Sequence, residues 1–133
     1  MARMVNFDLV SPEKLLFSEQ VEMVVVPGSE GDFGVLIDHA PLLSTIRPGV
    51  LAVYRNSQVV ERIFVAGGFA EVTESTLTVL AEEAFVVDSL ERTEVERRLA
   101  GARDMLQMAD TPVTRAEAEV RIVVAEAMLA AIQ

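Results

Sequence analysis

The residues whose types could do chemistry crowd into GSEGDFGVLIDHAPLL, Gly28 to Leu43, which holds glycines at 28, 31 and 34, aspartates at 32 and 38, and the chain's only histidine, His39. The glycine spacing suggests a phosphate grip, Asp38-His39 suggests a hydrolytic or metal-binding pair, and the glycines alone suggest a tight turn. A phosphate loop requires Lys and then Ser or Thr directly after its last glycine, whereas Gly34 is followed by Val35 and Leu36. Glu30 and Asp32 would also repel a phosphate. Adjacent residues of an extended segment point to opposite faces, so Asp38 and His39 do not easily converge, and neither Ser29 nor Ser44 stands in a nucleophile-elbow sequence. A metal site would need further ligands at positions the sequence does not single out. The residue types therefore point to glycines that shape a loop between strands and to a histidine that positions a loop by hydrogen bonding or sits in a protein contact. No catalytic residue, metal or cofactor is expected.

The elements that must position this segment read in two periods. From Val5 to Val87, VNFDLV, VEMVVV, GVLAVYR, VVERIFVA and TLTVLAEEAFVV alternate in the manner of strands. They are punctuated by Pro27-Gly28, Gly31, Gly34, Pro48-Gly49, Asn56-Ser57 and Gly67-Gly68, and this short spacing suits a sandwich or barrel. Beyond Val87 the period lengthens. Val95, Leu99, Ala102, Leu106 and Ala109 line one side of a helix, with Asp88 and Glu91 placed as a capping box at its start. Pro112 disfavours helical geometry in Thr111 and stops the helix near Asp110. Thr114 and Glu117 form a second capping box, after which Ala116, Val120, Val123, Ala127 and Ala130 repeat the stripe, widened by Val124, Met128 and Ile132. The expected fold is mainly β with α: an N-terminal antiparallel β-sandwich over residues 1–87, then a C-terminal antiparallel two-helix hairpin over residues 88–133.

Composition narrows the function. A chain of 133 residues can bury about two-thirds of its extended surface. Its mean hydropathy is +0.36, yet no apolar run approaches the roughly 18 residues of a membrane-spanning helix. MARMVNFDLV resembles neither a secretion signal nor a transit peptide, so cytoplasmic residence is the expectation. The absence of cysteine removes disulfides, thiolate metal clusters and sulfur nucleophiles. Net charge is −10, which opposes contact with nucleic acid or anionic lipid. The arginines of the helical part, Arg92, Arg97, Arg98 and Arg103, alternate with Glu94, Glu96 and Asp104 as a solvated face does. Read from residues alone, this is an interaction protein with no visible active site. The alternatives are a free-standing acidic β-sandwich that binds a small ligand under a helical lid, and an enzyme working through Asp38 and His39.

Several segments in a fixed order carry a resemblance: FDLVSPEKLLFSEQVEMVVVPGSEGDFGVLIDHAPLL from Phe7, IRPG from Ile46, VAGGFAEV from Val65 and LTVLAEEA from Leu77. Together they resemble the epsilon subunit of F-type ATP synthases, the counterpart of the mitochondrial delta subunit. The resemblance implies a sandwich followed by a helical hairpin, and a non-catalytic rotor subunit that couples rotation of the c ring to the gamma subunit. It implies that Gly28, Ser29, Glu30, Gly31, Asp32 and Phe33 face the c ring, with Glu30 and Asp32 offering carboxylates to basic groups. His39, Ala40, Pro41 and Leu42 are implied to lie toward gamma. The implied location is the cytoplasmic face of the bacterial inner membrane, with membrane association only through the complex. The C-terminal helices would reach the alpha and beta subunits where they inhibit hydrolysis. The family's nucleotide motif falls on Leu90, Glu91, Arg92, Thr93, Glu94 and Val95, where Glu94 replaces an arginine and repels phosphate. Weak or absent ATP binding follows, and a hairpin that stays folded and inhibits poorly.

Overall fold

Alternation builds the strands. In the computed structural model, which describes residues 3–132, ten strands form: β1 Val5–Val10, β2 Leu15–Val21, β3 Met23–Gly28, β4 Gly31–Val35, β5 Leu42–Ile46, β6 Gly49–Arg55, β7 Gln58–Val65, β8 Gly68–Val72, β9 Thr76–Ala81 and β10 Ala84–Val86. Two helices follow, α1 Arg92–Met108 and α2 Pro112–Ile132. The chain divides into two compact units between Val86 and Val87, one residue before the expected boundary.

In the first unit the hydrogen-bonded strand order is β10-β7-β6-β3-β5-β8-β9-β1-β2, with β4 attached to β3. Every second residue faces inward: Val5, Phe7 and Leu9 of β1, Leu77 and Val79 of β9, Leu51 and Val53 of β6, and Ile63 and Val65 of β7 belong to one apolar core. Complete burial of each Phe or Leu is worth about 1.5–3 kcal/mol as an upper estimate. No polar or charged side chain is buried among the described residues.

The sandwich departs from a purely antiparallel one at a single pairing. β1 lies parallel to β9, with Asn6 to Val10 opposite Thr76 to Leu80. A parallel pair needs a long crossover, and here the crossover is the rest of the sandwich. Segments without clear alternation also became strands. β2 is mostly exposed and is held by Val21 and by Phe17, whose ring lies 5.3 Å from that of Phe7. The TLTVLAEEAFVV segment breaks at Glu82-Glu83, leaving β9 beside β8 and β1 while β10 pairs with β7.

In the second unit α1 and α2 pack on each other. Val95, Leu99 and Ala102 are buried, as their spacing predicts. Three helical details differ from expectation. Asp88 lies in a 3-10 turn, Val87–Ser89, and α1 is preceded by Glu91, which makes no side-chain capping bond. The capping box sits one turn earlier at α2: the Thr114 N–H donates to Thr111 Oγ1, and the Thr111 N–H donates to Thr114 Oγ1. Pro112 fills the first helical position, where its missing N–H costs nothing. The buried side of α2 is Ala118, Ala125, Met128 and Ala131, whereas Val120 and Val123 of the expected stripe are 62% and 53% exposed. Apolar residues occupy both sides of α2, so their spacing alone does not choose the buried one.

Candidate contact surface at a hairpin tip and an adjoining apolar row

The Gly28-to-Leu43 segment folds as a hairpin and a loop. Gly28 of β3 pairs with Gly31 of β4, so the link is the two exposed residues Ser29 and Glu30. Gly31 has φ 133°, a conformation open chiefly to glycine. Gly28 is buried, and a Cβ there would lie 2.7 Å from the Gly31 carbonyl oxygen. Phe33 is half-buried and packs on the core. Ser29, Glu30, Gly31 and Asp32 therefore form the exposed tip, while Gly28 and Phe33 shape and anchor it.

The tip is braced by the β5–β6 turn. The Arg47 guanidinium donates to the Gly28 carbonyl oxygen and to Asp32 Oδ1, each at 2.5 Å. The Arg47 backbone N–H donates to the Pro27 carbonyl at 3.0 Å. The Ser29 N–H donates to the Thr45 carbonyl at 3.0 Å, and the two hydroxyls of Ser29 and Thr45 lie 2.5 Å apart. Of the two carboxylates expected to be offered to basic groups, that of Asp32 is thus already paired within the chain. Glu30 makes no ion pair among the described residues.

Asp38 and His39 do not act on each other. Asp38 adopts φ 66°, pairs with Arg3 at 2.5 Å and donates its backbone N–H to the Glu74 carbonyl at 2.7 Å. His39 Nδ1 donates to the Ala40 carbonyl at 2.6 Å, a bond consistent with the first of the two roles its sequence context allows. His39 is half-buried, and Ala40, Pro41 and Leu42 are exposed. Ser44 Oγ donates to the Thr45 carbonyl. Among the described residues no cluster of three or more His, Asp or Glu side chains could hold a metal ion.

A second surface was not legible from the sequence. Thr45 lies opposite Phe69, Phe69 opposite Leu80, Leu80 opposite Val10, and Val10 opposite Leu15. These outward residues form a row across β5, β8, β9, β1 and β2, with Phe69, Leu80 and Leu15 at 50%, 51% and 57% exposure. Leu43, 70% exposed, lies two residues from Thr45 on the same face of β5. Apolar residues at outward phase, such as Leu80 between inward Val79 and Ala81, were the available signal. Only the register shows that they line up.

Near the helices, Glu94 pairs with Arg97 on the exposed side of α1, Glu91 precedes the helix and Leu90 is half-buried. Arg98 reaches Met128 Sδ at 3.2 Å.

A filled sandwich, a braced acidic tip and an exposed apolar row define a protein that works by contact. Residues 4–87 match the family model described as ATP synthase, Delta/Epsilon chain, beta-sandwich domain. The ATP synthase epsilon chain of Rhodospirillum rubrum is 58% identical over 131 residues, covering 98% of each chain. That of Paramagnetospirillum magneticum is 50% identical over 132 residues, covering 99% of each. A chain of the Euglena gracilis mitochondrial ATP synthase OSCP/F1/c-ring structure in rotational state 1 shares the fold with TM-score 0.84 at 23% identity, covering 98% of this chain and 82% of that one. A chain of the Tetrahymena thermophila mitochondrial ATP synthase central stalk and c-ring structure has TM-score 0.74 at 16% identity, covering 97% and 96%. This chain belongs to the ATP synthase epsilon chain family and is a non-catalytic subunit of that complex.

Proposed function

We propose that the chain is a rotor coupling in the central stalk. The tip Ser29 to Asp32, shaped by Gly28 and Phe33, meets the polar loops of the c ring, and Glu30 supplies the free carboxylate. His39, Ala40, Pro41, Leu42 and the neighbouring apolar row lie on gamma. The observation that carries this reading is the double role of β5. At one end Thr45 holds the tip; at the other the strand starts at Leu42; and Thr45 also begins the apolar row. Five residues of strand span about 15 Å, so one stiff element serves both contacts. Torque passes through such an element without loss only if neither end yields.

On this reading the chain sits at the cytoplasmic face of a bacterial inner membrane, held there by the complex. Among the described residues no helix is long and apolar enough to cross a membrane. The helical hairpin stays folded and inhibits hydrolysis poorly, although the exposed Val113, Val120 and Val123 offer an apolar surface to alpha and beta subunits. ATP binding is weak, because Glu94 stands where the family motif has arginine.

The decisive experiment for gamma docking is Phe69→Glu. Phe69 is exposed, so the change leaves the core intact, while a charge buried against an apolar partner surface is costly. Retention of the purified variant by gamma should fall by about tenfold or more, against unchanged thermal stability. Full retention would exclude the row as the docking surface.

A further inference from the structure

We propose that Arg47 is a positioning residue for the hairpin tip, setting both its orientation and its charge. The proposal rests on the reading that the tip is a ring contact, and it assigns the control of that contact to a residue outside the tip. Three observations carry it.

First, the Arg47 guanidinium spans the hairpin, donating to the Gly28 carbonyl on β3 and to Asp32 Oδ1 on β4. A planar fork that holds both strands fixes their relative twist in a way a lysine, with one point of charge, does not. Second, the backbone on either side of it is tied in as well, through the Arg47 N–H to Pro27 and the Ser29 N–H to Thr45. The tip thus moves with the end of β5, the strand that begins the apolar row. Third, the fork neutralises Asp32. The tip then presents one uncompensated carboxylate, Glu30, in place of two.

The ion pair is roughly half-exposed on both sides, so it adds little to global stability. Its effect is local. The bond to Gly28 is part-buried and closes the end of β3, where the tip leaves the core.

The test uses the full-length subunit and then the assembled synthase. In the free subunit, Arg47→Met should speed amide hydrogen exchange at Ser29 and Gly31 by about tenfold, with the core amides unchanged. Arg47→Lys should recover only part of that protection. Unchanged exchange in Arg47→Met overturns the brace whatever the tip contacts. In the synthase, Glu30→Gln reports on the ring contact itself, and proton pumping per ATP hydrolysed is the readout. Loss of coupling in both Glu30→Gln and Arg47→Met supports the proposal, and Asp32→Asn added to Arg47→Met should restore the charge-dependent part. Loss in Glu30→Gln with full coupling in Arg47→Met overturns it while leaving the contact reading standing. Full coupling in both, with faster tip exchange, overturns the contact reading and the functional half of this proposal with it.

Discussion

At Gly68 the backbone of β8 passes so close to β9 that a Cβ would lie 1.9 Å from the Leu80 carbonyl oxygen, and φ there is 145°. Both restrictions exclude a side chain. Gly68→Ala should therefore lower the stability of the sandwich by about 3 kcal/mol or more, read as a fall in the thermal unfolding midpoint; an unchanged midpoint would show that the β8–β9 approach yields easily. Gly28, at the base of the acidic tip, is tight through close approach alone, because a Cβ there would meet the Gly31 carbonyl oxygen and the Phe33 ring. Of the three opening glycines, expected to supply backbone angles closed to other residues, Gly31 alone takes a positive φ; Gly28 and Gly34 lie within β3 and β4, where neighbours crowd them instead. The bond of His39 to Ala40 matches one of the two roles its sequence context left open. The role of Arg47 was not readable, because a lone arginine beside Pro48-Gly49 has no local signature, and its two partners lie 19 and 15 residues away. Glu94 belongs to this scale too. Its carboxylate is paired with Arg97, and on the proposed reading it stands where the family's nucleotide motif has arginine. Calorimetry on the isolated subunit should detect no ATP binding in the micromolar range, and micromolar binding would refute the assignment of a degenerate motif.

Elements were legible to the extent that one face of each was distinct. Val95, Leu99 and Ala102 could be placed on the inner side of α1 because arginine, glutamate and aspartate side chains flank them through most of the helix. In α2 the three-and-four spacing fits two stripes, one through Val120 and Val123 and one through Ala118 and Ala125, and periodicity alone does not choose between them. In the structure the alanine side is the buried one. Pro112 was readable as a stop for α1, but it is equally the start of α2, with Thr111 as its cap. β2 escaped because only Phe17 and Val21 turn toward the core. Removal of residues 89–133 leaves the sandwich with its own core, so a synthase carrying the shortened subunit should hydrolyse ATP at close to the original rate. A several-fold rise would show that the hairpin inhibits after all.

For the whole molecule, one hydrogen-bonded path runs from β10 to β2, and the first unit is filled without a buried polar group among the described residues. Stiffness is what such a body offers: close-packed interiors transmit strain with little compression. The apolar row became visible only at this scale, since Val10 and Leu80 are neighbours through the parallel β1–β9 pairing and not through sequence. On the proposed reading the chain carries torque between ring and stalk and contributes no reactive group. Proton-driven ATP synthesis by membranes stripped of this subunit, measured before and after adding back the purified chain, decides whether it does so. Synthesis should be lost on stripping and return with the added chain; synthesis that continues at the full rate in its absence would contradict it.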